Sequence, residues 1–158
     1  MFKAAVLTVS DRCSSGERED LSGKAIIDLI KGIAGEVVKY DITPDEIDLI
    51  KEKLLFYCDD LKVDLVFTTG GTGFGPRDVT PEATQAVAEK AIPGIPELMR
   101  LEGLKKTRNA MLSRGVCAIR KSSIIINLPG SPKAVQESLT AILDLIPHAL
   151  DMLKGKGH

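Results

Sequence analysis

Between Thr68 and Glu82 the chain reads Thr-Thr-Gly-Gly-Thr-Gly-Phe-Gly-Pro-Arg-Asp-Val-Thr-Pro-Glu, and no other stretch restricts the fold as much. The apolar run Val63-Asp64-Leu65-Val66-Phe67 before it reads as a short buried strand, and Thr80-Pro81-Glu82 after it as a capped helix start. A strand therefore feeds a helix through a loop of nearly bare backbone. Glycines at 70, 71, 73 and 75 permit positive φ and let amide N–H groups turn toward an anion, while Arg77 and Asp78 add one charge of each sign. That chemistry suits phosphate.

Two common glycine signatures do not apply. Gly70 and Gly75 have Walker A spacing, but Pro76-Arg77 stand where that motif requires Lys followed by Ser or Thr, so the lysine that reaches the terminal phosphates is missing. A dinucleotide fingerprint needs a further glycine three positions after Gly73, and Pro76 occupies that place. The plainest remaining role is a tight strand-to-helix connection, which does not account for the adjacent charges.

Around the loop the hydrophobic pattern alternates between strand and helix periods. Lys3 to Val9, Glu36 to Ile42, residues 63–68, Val116 to Arg120 and Ser123 to Asn127 read as strands, the last two spaced for a hairpin. Asp20 reads as the N-cap of a helix with Ile26, Leu29, Ile30 and Ile33 on its apolar face. Thr43-Pro44-Asp45-Glu46 reads as N-cap, first helical residue and third-position Glu, opening a helix with Ile47, Ile50, Leu54 and Cys58 on one face. Further helices are expected from Pro81 to Lys90, from Ile95 to Lys105, and after Leu128-Pro129-Gly130-Ser131-Pro132. The last keeps Val135, Leu139, Ile142, Ile146 and Leu150 on one side and is expected to kink at Pro147. No linker or repeat interrupts the order, so residues 1–158 are read as one domain. The expected fold is a three-layer α/β/α sandwich with a mostly parallel sheet and one antiparallel edge strand.

Charge and composition narrow the function. Lys+Arg 21 against Asp+Glu 22 leaves no basic field for nucleic acid or an anionic membrane, and 4% aromatic content without Trp supplies no base-stacking platform. Met1 leads directly into the strand-like Phe2 to Val9, and no apolar run has membrane-spanning length, which predicts a cytoplasmic protein. Cys13, Cys58 and Cys117 lack Cys-x-x-Cys spacing and a nearby histidine, which argues against zinc; Cys58 and Cys117 read as small buried hydrophobes and Cys13 as an inert loop thiol. His148 and His158 have no visible catalytic partner.

In open α/β sheets, ligands bind where strands end and helices begin. Ser or Thr followed by Pro opens a helix at 43, 80 and 131, each shortly after a strand, so Asp45, Asp78 and Ser131 are expected to meet in one crevice. Each has a plainer role. A carboxylate in a first helical turn complements the dipole by about 0.3–1 kcal/mol, and Ser131 is an ordinary N-cap. The combination says more: two carboxylates able to hold a hard cation stand beside amides able to cradle phosphate.

The segments Thr8-Val9-Ser10-Asp11-Arg12 with Ser14-Ser15-Gly16, Thr43-Pro44-Asp45-Glu46, Thr69 to Pro81, Met111-Leu112-Ser113-Arg114, and Asn127 to Ala134 together resemble the molybdopterin adenylyltransferase family, which includes the corresponding domain of gephyrin. They stand in the family's order across nearly the whole chain. The resemblance implies a homotrimer that transfers AMP from ATP to the terminal phosphate of molybdopterin. The products would be adenylylated molybdopterin and pyrophosphate, with a downstream molybdenum-insertion protein as a partner.

Residue by residue, the resemblance implies that Asp45 and Asp78 are catalytic or hold Mg2+, directly or through water. It implies that Thr69, Gly70, Gly71, Thr72 and Gly73 receive phosphate or nucleotide, that Pro129, Gly130 and Ser131 border the same pocket, and that Asp20 is a further nucleotide- or pterin-side acid. Arg77 or Lys133 is the expected cation for developing charge. One departure is Gly103, which stands where relatives often carry a serine and bears on one pterin contact. The alternative function is a non-catalytic molybdopterin carrier or scaffold; the intact Arg77-Asp78-Val79-Thr80-Pro81 segment favours the enzyme.

Overall fold

The structure is a computed structural model and describes residues 1–156; His158 lies outside them. Six strands form one sheet: β1 (Phe2–Val9), β2 (Gly35–Thr43), β3 (Leu65–Thr69), β4 (Lys90–Ala91), β5 (Cys117–Arg120) and β6 (Ser123–Leu128), in the order β2-β1-β3-β6-β5-β4. Pairs β1–β2, β1–β3 and β3–β6 are parallel. The expected hairpin supplies the antiparallel edge, β5 running against β6, and the two-residue β4 adds itself antiparallel beyond β5. A pairing of that length has almost no periodicity to announce it.

Alternation along the strands divides the core. Ala4, Val6, Leu65, Phe67, Ile124 and Ile126 face one side, where they pack against α2 (Leu21–Lys31), α5 (Gly94–Leu104), α6 (Pro132–Ile142) and α7 (Ile146–Leu153). Ala5, Leu7, Val66 and Ile125 face the other, against α3 (Ile47–Leu55) and α4 (Thr80–Val87). The two faces of the central strands are thus covered by helices, giving the three layers. Fully burying one such Ile, Leu or Phe stabilises by about 1.5–3 kcal/mol, so both layers are anchored by side chains that alternate along the same strands.

Several boundaries follow their caps. Asp20 accepts the Gly23 amide at 2.9 Å and starts α2; Ser131 accepts the Ala134 amide at 3.2 Å and starts α6. Val135, Leu139, Ile142, Ile146 and Leu150 are all buried as the spacing predicts. The terminal helix breaks before Pro147 instead of kinking there, through a 3-10 turn at Leu143–Leu145. Pro147 then sits in the first turn of α7, where its missing N–H costs no hydrogen bond. Similarly, α3 runs into one π-helical turn, Phe56–Asp60, which buries Tyr57 and Cys58. Ile47, expected on the apolar face of α3, is instead exposed.

Thr43 does not cap α3. It is the last residue of β2, paired with Val9, and its carbonyl accepts the Ser10 amide at 2.9 Å. The helix begins at Ile47 after Glu46, which makes no side-chain capping bond. Nor does Thr80 act as a side-chain cap: the N-cap of α4 is Val79, and the Thr80 hydroxyl donates to the Gly70 carbonyl at 2.9 Å.

Candidate active site

Strands β1, β2, β3 and β6 run in one direction, so their carboxyl ends share a margin of the sheet. After β1 the chain turns to one face to build α2, and after β3 it turns to the other to build α4. The loops diverge at that switch point and leave a crevice. It has a volume of about 420 Å³ and is lined by Thr8, Asp20, Asp45, Thr69, Gly70, Gly71, Asp78, Gly130 and Ser131, among others.

The glycine loop is fixed at its base. Gly70 has φ +97 and Gly71 φ +70; a Cβ on Gly70 would overlap the Val9 carbonyl oxygen, and one on Gly71 the Thr80 hydroxyl. Only glycine fits both the angle and the space. The Gly70 amide donates to the Leu128 carbonyl at 3.2 Å, and the Thr69 hydroxyl donates to the Pro129 carbonyl at 2.6 Å. Ser22 joins the third loop by donating to the Gly130 carbonyl at 2.7 Å. Among the described residues, the amides of Gly71, Thr72 and Gly73 donate to no protein acceptor. The spare donors expected for an anion cradle are therefore present.

The acids are held differently from one another. Asp45 and Asp11, in the short helix α1 (Asp11–Ser14), exchange bonds: the Asp11 amide donates to Asp45 Oδ2 at 2.8 Å and the Asp45 amide to Asp11 Oδ1 at 3.0 Å. Arg77 forks onto Asp11, Nε to Oδ2 at 3.1 Å and Nη2 to Oδ1 at 3.0 Å. Asp78 Oδ2 accepts the Gly75 amide at 2.8 Å. Oδ1 of Asp45 and Oδ1 of Asp78 have no hydrogen-bond donor among the described residues. Burial raises the pKa of Asp45, and the nearby charges of Asp11 and Asp78 push it the same way, against the lowering effects of the Asp11 amide and Arg77. Arg77, through its hydrogen bond first, holds Asp11 below the usual carboxylate range.

Beyond the glycine loop lies a second cavity, about 320 Å³, between α5, a 3-10 turn at Arg108–Leu112, and α6. Met99, Ala110, Leu112 and Pro129 supply apolar walls, with Thr107, Asn109, Ser113 and Ser138 as polar points. Thr72 and Gly73 line this cavity while Gly70, Gly71 and Asp78 line the crevice; Pro129 lines the cavity while Gly130 and Ser131 line the crevice. The same two loops wall both spaces. A Cβ at Gly103 would lie 2.7 Å from Ala110 Cβ, so glycine here lets the 3-10 turn close onto α5.

Residues 5–148 match the family described as a probable molybdopterin binding domain. The chain belongs to that family. It is 48% identical over 152 residues to the molybdopterin adenylyltransferase of Helicobacter pylori, covering 95% of this chain and 86% of that protein. Its fold superposes on the molybdopterin biosynthesis enzyme MoaB from Thermus thermophilus with TM-score 0.94 at 49% identity, covering 99% of this chain and 98% of the other. The tungsten cofactor synthesizing protein MoaB from Pyrococcus furiosus gives TM-score 0.85 at 33% identity, covering 100% and 98%.

In this molybdopterin-binding-domain family member, the structure brings Asp45, Asp78, Asp20, Thr69, Gly70, Gly71, Gly130 and Ser131 to the crevice, and sends Thr72, Gly73 and Pro129 to the adjoining cavity. The Asp20 carboxylate is occupied internally by Thr8, Tyr40 and Gly23. Of the two expected cations, Arg77 is engaged with Asp11, and Lys133 lines a separate groove between α5 and α6. Among the described residues, the cation that lines the crevice is Arg18.

Arg114 carries no sequence signal for a role beyond its motif. Its amide donates to the Thr72 carbonyl at 3.0 Å, and its guanidinium to the carbonyls of Gly73 and Asp78, both at 2.9 Å, and to Glu82 at 2.7 Å. It staples the glycine loop from outside the β3–α4 unit. The motif Met111-Leu112-Ser113-Arg114 was the one available signal.

Proposed function

We propose that this chain transfers AMP from ATP to the terminal phosphate of molybdopterin in molybdenum cofactor biosynthesis; its relatives are named as molybdopterin adenylyltransferases. The observation that carries this reading is the shared wall: two loops, at 70–78 and 129–131, border both an acidic, amide-lined crevice and an apolar cavity. A flat heterocycle suits the cavity, with Thr107, Asn109 and Ser113 as orienting groups. ATP suits the crevice, so the phosphates of both ligands meet where the loops are shared.

The chemistry is an in-line displacement. A phosphate oxygen of molybdopterin attacks the α-phosphorus of ATP; that O–P bond forms as the bridge to the β-phosphate breaks, and pyrophosphate leaves with the electron pair. Holding two anionic groups in line is the main task, and positioning with electrostatics supplies the rate.

The crevice itself is poor in positive charge. Among the described residues, Glu19, Asp20, Asp45 and Asp78 line it against Arg18, so a polyphosphate needs a cation to enter. Asp45 Oδ1 and Asp78 Oδ1 fit Mg2+, a hard ion that takes one or two carboxylates and completes its shell with water and substrate phosphate. No group of three or more His, Cys, Asp or Glu able to hold a metal gathers among the described residues. When bound, Mg2+ supplies charge neutralisation between the phosphates. The spare amides of Gly71, Thr72 and Gly73 bind phosphate oxygens, and Arg114 keeps those amides in place.

A cytoplasmic homotrimer that delivers its product to a metal-insertion protein completes the reading; sedimentation equilibrium tests the trimer. No helix among the described residues is long and apolar enough to cross a membrane. Pyrophosphate release with ATP, Mg2+ and molybdopterin tests the activity. Turnover requiring all three supports it, whereas tight pterin binding without pyrophosphate marks a carrier and rejects it.

A further inference from the structure

The Arg77–Asp11 pair lies on the surface, with side chains 56% and 44% exposed, where an ion pair adds little to stability. Its placement is specific nonetheless. Arg77 immediately precedes Asp78, and Asp11 exchanges two backbone-to-carboxylate bonds with Asp45. The fork thus ties the loop that carries Asp78 to the segment that carries Asp45. That segment lies between β2 and α3 and is otherwise held by backbone bonds, the Ser10 amide to the Thr43 carbonyl at 2.9 Å and the Glu46 amide to the Pro44 carbonyl at 2.8 Å. Glu46 makes no capping bond, and its carboxylate lies 3.9 Å from Arg77 Nη2, so the side-chain ties across to the Asp78 loop run through Arg77. The Asp78 carboxylate accepts one loop amide, that of Gly75, while its backbone carbonyl accepts Arg114.

We propose that Arg77 and Asp11 form a positioning pair that sets the spacing and aim of the two free carboxylate oxygens, Asp45 Oδ1 and Asp78 Oδ1, toward a nucleotide-bound divalent cation. The inference rests on the function proposed above. Two effects of Arg77 oppose each other. Its charge repels a cation, so losing it would tighten binding; its fork fixes the carboxylates, so losing it would weaken binding. Exposed charges act through a high dielectric and are screened by salt, whereas loss of a group that orients a metal ligand costs tenfold or more, so positioning wins.

Mn2+ titrated into the full chain with α,β-methylene ATP, whose AMP cannot be transferred, reads this by electron paramagnetic resonance without turnover. Arg77→Gln is expected to weaken Mn2+ binding about tenfold while melting near the wild-type temperature. Arg77→Lys keeps the charge but loses the fork and is expected to recover little. Asp11→Ala combined with Arg77→Gln should bind no more weakly than the worse single variant, because the pair acts as one unit. Unchanged or tighter Mn2+ binding by Arg77→Gln, beside a weakened Asp45→Asn, overturns the positioning role and leaves the proposed function standing. Wild-type binding by Asp45→Asn removes Asp45 from the cation's seat and overturns the positioning role, while pyrophosphate release decides the proposed function separately. If Arg77→Gln melts far below wild type, Arg77→Lys decides on the same readout.

Discussion

Asp20 and Asp45 line the same crevice, each in the connection that follows one of two neighbouring strands, yet their surroundings divide their work. Asp20 is 6% exposed and accepts the Thr8 hydroxyl at 2.6 Å, the Gly23 amide at 2.9 Å and the Tyr40 phenol. Asp45 accepts one backbone amide on Oδ2 and keeps Oδ1 without a donor among the described residues. A carboxylate whose lone pairs are spent on the protein holds strands and helix together; one with an oxygen to spare can meet a ligand. Position at a sheet margin is shared by both acids, so the number of internal donors separates them.

The largest test of that division is Asp45→Asn, which should lower adenylyl transfer by about 10²–10³-fold, the range for removing one preorganised electrostatic group, with the melting temperature unchanged or raised. A large loss of stability with normal transfer by the remaining folded protein would reverse the assignment. Next, Asp20→Ala leaves two hydroxyls and an amide without their acceptor and should cost about 2–4 kcal/mol in urea unfolding. A stable but inactive Asp20→Ala would break the comparison by making Asp20 a ligand group.

Smaller still, Tyr40→Phe removes one donor to Asp20 and should cost about 1 kcal/mol. Alkaline pH sharpens the point. Burial first, and then the bond to Asp20 and its charge, raise the Tyr40 pKa above the unfolded value of about 10. The stabilisation is therefore full below about pH 10 and fades as pH rises toward the folded value, so the wild-type advantage over Tyr40→Phe should shrink there. Tyr57, raised by burial and by Asp41, contributes to alkaline unfolding as well, which is why the difference between the two proteins is the quantity to measure. A gap that stays constant from pH 8 to pH 11 would remove Tyr40 from the account.

Most of the framework was legible because it rests on local or periodic signals. Strand alternation, the Asp20 and Ser131 caps and the glycine run each report a short-range requirement, and the structure meets them. Thr43-Pro44-Asp45-Glu46 misled for the opposite reason. Its capping pattern is local, but β2 pairing claims Thr43 and a residue 34 positions away, Asp11, claims Asp45. The engagement of Arg77 by Asp11, 66 positions distant, and the reach of Arg114 to Gly73, 41 distant, are likewise tertiary facts that no spacing rule encodes. Legibility ended where side chains bridge loops that only the finished sheet brings together.

The bond from the Gly70 amide to the Leu128 carbonyl, with that from Thr69 to Pro129, has a consequence for synthesis. A ribosome releases the glycine loop long before β6, and the loop's base lacks its acceptors until that later strand docks. Nascent chains therefore carry the loop without its closing bonds, and the seat proposed for nucleotide is complete only once β6 has docked.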